Sequence, residues 1–70
     1  MADSPLSPRE QEILHLVAQG RTSKQIGQQL FLSHRTVDHH LTSIYNKLGV
    51  DTRAQAVAVA AQRGLLASFT

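Results

Sequence analysis

The sequence has no cysteine, no tryptophan, only two prolines and no long apolar run. Without cysteine there is neither a disulfide staple nor a thiolate metal site. Stability has to come from packed apolar side chains, with a partner subunit as the one further source open to it. No segment approaches the roughly 20 apolar residues that cross a bilayer, so no membrane contact is expected. Residues 1–8 lack the basic and apolar regions of a secretory signal, which makes the cytoplasm the expected compartment. Low-complexity tracts, linkers and repeated units are also missing. Seventy residues suffice for one small domain that buries only about 60% of its unfolded surface. A large active-site cleft does not fit that size. These absences favour binding over catalysis.

The charge that is present is unevenly placed. Residues 1–20 carry Arg9 against Asp3, Glu10 and Glu12, a net of −2. Residues 21–47 carry Arg21, Lys24, Arg35 and Lys47 against Asp38 alone, a net of +3. Three of the four histidines (His34, His39 and His40) fall in the same stretch. Residues 48–70 return to +1, with Arg53 and Arg63 against Asp51. A basic middle between less basic flanks suits either a polyanion-facing surface or a solvated charged face.

Punctuation divides the chain into four helices. Ser7, Pro8 and Glu10 form a cap, a first-turn proline and a capping-box acid. Ile13, Leu14 and Val17 follow at helical spacing, and Gly20 is a left-handed stop, which gives a helix over 8–19. Thr22 and Gln25 open a short second helix over 23–31, with Ile26 and Leu30 on one side. Ser33 caps a third over 34–48, whose Val37, Leu41, Ile44 and Leu48 form an apolar stripe ended by Gly49. Thr52 and Gln55 open a fourth over 53–63, ended by Gly64. The expected fold is all-α: a compact four-helix domain over 6–66, with tails at 1–5 and 67–70. Phe31 and Leu32 are expected in its core.

The connection between the second and third helices is too short for an antiparallel return. They should cross steeply, as in a helix-turn-helix, which lets the second of the pair enter a DNA major groove. Projected at 100° per residue, the face of the third helix opposite its apolar stripe carries Arg35, His39, Thr42 and Asn46. Asp38 and Tyr45 lie on one shoulder; Thr36, His40, Ser43 and Lys47 lie on the other. Base edges are read by such donors and acceptors without bulky aliphatics. A merely solvated helix more often carries Glu–Lys pairs one turn apart, and this one has no Glu and a single Lys. The helix starts at Thr22, Ser23 and Lys24, and at Ser33, His34, Arg35 and Thr36, join hydroxyls to a cation where free N–H groups suit phosphate. Ordinary capping by Thr22 and Ser33 is compatible with that role.

In this order and spacing the residues resemble the LuxR-type, or GerE-family, helix-turn-helix domain of bacterial transcription regulators. The resemblance runs through Leu6-Ser7-Pro8-Arg9-Glu10, Ile13-Leu14, Gly20 to Gly27 and Leu30-Phe31-Leu32-Ser33. It continues through Thr36 to Leu41, Ile44, Lys47-Leu48-Gly49-Val50, Thr52-Arg53 and Gln55-Ala56. It implies sequence-specific binding of double-stranded DNA as a regulator's output domain, with the third helix in the major groove. It places Asp38, His39 and Thr42 at bases, and Lys24, Arg35, Thr36 and Lys47 at phosphates. Thr22, Ser23, His34 and Ser43 join the expected phosphate contacts from their places at helix starts and on the shoulder. The resemblance further implies a homodimer through the fourth helix on an inverted repeat, a possible contact with RNA polymerase, and no small-molecule ligand or cofactor on this domain. Two residues depart from the family pattern. Asp38 stands where Lys or Arg is common; an acid there repels phosphate or accepts from a cytosine amino group. Gly27 stands where Ala is usual, at a cost of roughly 1 kcal/mol in helix propensity, and permits closer approach of the crossing helix.

Dimerisation has support besides the resemblance, because the fourth helix is apolar nearly all round. Ala54, Val57, Ala58 and Ala61 are the candidate interface, unless small alanines simply tolerate exposure. An enzyme or metal site is not expected. His39 and His40 are adjacent and diverge on a helix, and His34 with Asp38 makes two ligands at best. His40 suits structural packing better than DNA contact, and His15 is expected in solvent. Tyr45 suits packing or phosphate equally, and Arg53 an acid or a phosphate. The principal alternative is a helical protein-interaction module that binds a transcription component, which would call for aromatic or aliphatic anchors.

Overall fold

The computed structural model describes residues 6–66, so the tails expected at 1–5 and 67–70 lie outside the described residues. Four short hydroxyl residues set the helix starts. Ser7, Thr22, Ser33 and Thr52 each stand in extended backbone, and each hydroxyl oxygen accepts the N–H three residues on at 3.0–3.1 Å. At three of them the bond is reciprocated, with Glu10, Gln25 and Gln55 accepting from the Ser7, Thr22 and Thr52 N–H groups. The helices are α1 (Pro8–Ala18), α2 (Ser23–Leu30), α3 (His34–Leu48) and α4 (Arg53–Gln62). No strand occurs among the described residues. α1, α2 and α4 stop one residue short of their expected ends. Gln19, Phe31 and Arg63 are instead the caps, whose N–H groups still bond back as the chain turns away.

α3 is the spine, and α1, α2 and α4 all pack against it. Its Val37, Leu41, Ile44 and Leu48 are buried as their spacing requires. α1 meets them with Ile13, Leu14, Leu16 and Val17, and α2 with Ile26. Each such side chain contributes about 1.5–3 kcal/mol through burial. α4 faces inward with Ala56 and Ala60, both with no exposed surface. Their small side chains let its backbone come close to α1 and α3. Tyr45 is half-buried and packs against this core.

A three-residue turn, Phe31 to Ser33, joins α2 to α3. Phe31 adopts the left-handed region, with φ 60° and ψ 40°. The N–H groups of Phe31 and Leu32 both return to the Gly27 carbonyl, the second at 2.9 Å. This folds the Leu32 peptide back onto α2, where a β-carbon on Gly27 would stand 2.6 Å from the Leu32 carbonyl oxygen. The close approach that Gly27 permits is therefore to the turn's own backbone, with Val37 Cγ2 at 3.6 Å behind it. Of the two turn residues expected in the core, Leu32 packs on it, but Phe31 is 94% exposed. The left-handed turn seats Leu30 and Leu32 on the core and swings the residue between them outward.

Gly27→Ala tests this packing. Helix propensity alone would favour Ala by roughly 1 kcal/mol. Overlap with a backbone oxygen should more than offset that, for a net loss of about 1 kcal/mol in urea unfolding. A gain in stability would contradict the geometry.

Candidate nucleic-acid interface

α3 divides into a fastened end and a free end. At the fastened end Ser43 Oγ donates to Glu10 Oε2 at 2.7 Å, and Lys47 Nζ donates to Glu10 Oε1 at 2.7 Å. The Ser7 N–H donates to the same Oε1 at 2.9 Å. The Glu10 side chain is 6% exposed. Burial alone would raise its pKa. The hydrogen bonds from Lys47, Ser7 and Ser43, with the charge of Lys47, outweigh burial and hold it at about 2 instead of 4.5. Ser43 and Lys47, both expected at phosphates, bond to this carboxylate, and the Lys47 side chain stays 41% exposed. A buried anion needs compensation more than a solvated one does, and these are its donors.

At the free end the expected base readers all face solvent. Asp38, His39 and Thr42 are exposed, as is Arg35 beside them. Thr42 Oγ1 donates to the Asp38 carbonyl at 3.1 Å, which leaves its oxygen as an acceptor and its methyl group for apolar contact. His34 Nε2 lies 3.3 Å from Asp38 Oδ2, an ion pair one helical turn long when the imidazole is protonated. Ser33 Oγ donates to Thr36 Oγ1 at 2.8 Å, so the two hydroxyls at the α3 start are coupled. Thr22 and Lys24 are exposed at the α2 start, and Ser23 is half-buried there. Two helix N-termini thus present N–H groups, hydroxyls and cations, one of them at the start of α3 itself.

Other side chains have structural roles. Arg53, expected to meet an acid or a phosphate, donates to the Val17 carbonyl at 3.4 Å and to the Arg21 carbonyl, tying α4 to the end of α1. His15, expected in solvent, is half-buried, its Nε2 3.2 Å from Gln19 Nε2. His40 is half-buried beside the core stripe. On α4, Ala54, Ala58 and Ala61 are exposed, and Val57 is half-buried against the core. Among the described residues no three histidine, aspartate or glutamate side chains converge as a metal site would require. No described helix is long and apolar enough to cross a membrane.

Residues 4–60 match the model of the bacterial regulatory proteins of the luxR family. The chain belongs to that family. A helix-turn-helix transcriptional regulator of Mycobacterium tuberculosis is 48% identical over 59 residues, which are 84% of this chain and 7% of that protein. The spore germination protein GerE of Bacillus subtilis is 41% identical over 61 residues, 87% of this chain and 82% of GerE. The solved structure of the transcription factor GerE superposes with a TM-score of 0.84 at 36% identity, covering 90% of this chain and 94% of the other. The response regulator ChrA of a heme-sensing two-component system superposes with a TM-score of 0.85 at 45% identity, covering 93% of this chain and 32% of ChrA. The chain therefore spans nearly all of GerE and a small part of the larger regulators. These relatives are named as transcription regulators, and this chain corresponds to the luxR-type helix-turn-helix domain within them, a DNA-binding unit.

Reading the sequence assigned Glu10 to the capping box and missed its second partner set. One signal was available. Ser43 and Lys47 lie one turn apart on the shoulder flanking Ile44, so a lysine beside the core stripe called for an anion. The depressed Glu10 pKa makes a stability prediction. Its contribution is complete above about pH 4.5 and is lost as pH falls toward 2, on the order of 3 kcal/mol. Glu10→Gln should cost about 2–3 kcal/mol at neutral pH and flatten most of the acid limb measured by urea unfolding. An acid limb as steep as that of the parent protein would contradict the assignment.

Proposed function

We propose that this domain binds double-stranded DNA sequence-specifically, with α3 in the major groove, as the output unit of a bacterial transcription regulator. The observation that carries the reading is the outward face of α3. Arg35, Asp38, His39 and Thr42 are exposed there and offer only polar groups and a methyl. Asp38, His39 and Thr42 would read bases. Thr42 suits an amino hydrogen or a thymine methyl, since its own proton is used by the helix. Thr22, Ser23, Lys24, His34, Arg35 and Thr36 would hold phosphates and set register. Ser43 and Lys47 are left out of that set because Glu10 engages them.

The domain would act as a homodimer through α4 on an inverted repeat, its two α3 helices in major grooves about one helical turn apart. What supports a dimer is the exposed alanine face of Ala54, Ala58 and Ala61, continued by Val57. The cytoplasm is the compartment in which such a regulator would meet DNA and RNA polymerase. One observation favours the alternative of a protein-interaction module: the exposed aromatic ring of Phe31. Salt separates the two. Counterion release makes DNA affinity fall steeply with salt, whereas an apolar anchor does not respond that way.

Selection from randomised duplexes at two salt concentrations should return an inverted-repeat motif bound more weakly at high salt. Thr42→Ala should change preference at one or two base pairs by about 1–3 kcal/mol, while Lys24→Ala should weaken all sequences alike and flatten the salt slope. An equal loss on every sequence for Thr42→Ala would remove it from the base-reading set. Salt-insensitive capture of a protein through Phe31, with no duplex retained, would favour the alternative.

A further inference from the structure

We infer that His34 is a positioning residue that masks Asp38 under control of a proton, so that this domain binds DNA more tightly in mildly acid than in mildly alkaline conditions. The inference rests on the DNA-binding reading above. Asp38 is the only acid among residues 21–47, and it lies on the face turned to solvent. Its side chain is 54% exposed, with the imidazole of His34 3.3 Å away and 65% exposed. A bare carboxylate there would repel phosphate. Protonated His34 cancels that charge and holds Oδ2, leaving Oδ1 to accept an amino hydrogen from a base. Histidine is the side chain that changes charge between about pH 5 and 8.

The surrounding groups do not supply a competing partner. The turn before His34 is uncharged, and the only charged residue of α2 is Lys24. α1 carries Arg9, Glu10, Glu12 and His15, and α4 carries Arg53. Glu10 is engaged by Ser43 and Lys47, roughly 14–20 Å along α3 from His34 at 1.5 Å per residue. Arg9 pairs with Glu12 at 3.2 Å, and Arg53 with backbone carbonyls. On α3 itself the remaining charged or titratable groups are Arg35, His39, His40, Tyr45 and Lys47. Asp38 is thus the one carboxylate in the first turns of α3.

The direction follows from linkage. The charge that a protonated His34 cancels is the Asp38 carboxylate, which opposes DNA, so protonation of His34 and binding of DNA favour one another through Asp38. Binding is strongest where histidine carries its charge and weakens as pH rises through the range in which that side chain loses it. His39 and His40 respond in the same direction, so the assignment to His34 comes from variants of the full chain.

The test measures binding to the selected duplex at about pH 6 and about pH 8 at constant ionic strength. The parent protein should bind about three- to tenfold more weakly at the higher pH. His34→Gln should bind at the lower pH nearly as weakly as the parent does at the higher, with a reduced pH ratio. In His34→Lys and Asp38→Asn the ratio between the two pH values should shrink whatever their absolute affinity, because the charge is permanently offset in one and absent in the other. These two keep the test decisive should the Gln variant fold poorly. A His34→Gln ratio equal to that of the parent overturns the inference, as does an undiminished ratio in Asp38→Asn. Failure of the parent to retain any duplex at either pH would instead overturn the DNA-binding reading beneath it.

Discussion

The carboxylate of Glu10 accepts hydrogen bonds from the Ser7 N–H, the Ser43 hydroxyl and the Lys47 ammonium, and the placing of α3 against α1 follows from it. It closes the capping box that starts α1 and clasps the C-terminal half of α3 in the same act. A buried carboxylate with three donors tolerates little displacement, because each lost bond leaves an anion in apolar surroundings. The clasp also partitions charge. The net of +3 over residues 21–47 counts Lys47, whose charge is spent on Glu10. Within that stretch the exposed cations with no carboxylate partner are Arg21, Lys24 and Arg35, beside the two helix starts. One half of α3 is fastened to the core and the other is left free to meet a partner.

The angle at which that free half leaves the core is set by the turn. Gly27 accepts two backbone N–H groups on its carbonyl and leaves its α-carbon bare for the Leu32 peptide. Phe31 takes up the left-handed conformation with a ring almost wholly in solvent. For a residue with a β-carbon that conformation costs roughly 1–2 kcal/mol. Burial of Leu30 and Leu32 on either side offsets it. Local strain and one exposed ring are accepted so that α3 packs against α2 across a connection of three residues.

What was legible in the sequence is what is local. Ser7, Thr22, Ser33 and Thr52 announced the helix starts because a cap hydroxyl and its N–H are three residues apart. The stripe from Val37 to Leu48 announced the buried face because helical periodicity is carried by neighbours. The Glu10 clasp was not legible, because its partners lie 33 and 37 residues away and each looked self-sufficient, Glu10 as a cap and Lys47 as a surface cation. Arg53 was misread for the same reason, since backbone carbonyls carry no sequence signature. Phe31 was misread because hydrophobicity alone does not report a left-handed turn.

The division of α3 into a fastened and a free half is tested most directly by amide chemical-shift mapping as the selected duplex is titrated into the protein. Perturbations are expected at residues 22–24 and 33–42, with the Ser43–Lys47 segment and the Glu10 amide unmoved, so that the clasp persists on DNA. Shifts concentrated at Glu10 and Lys47, signalling that the lysine leaves its carboxylate for phosphate, would contradict it.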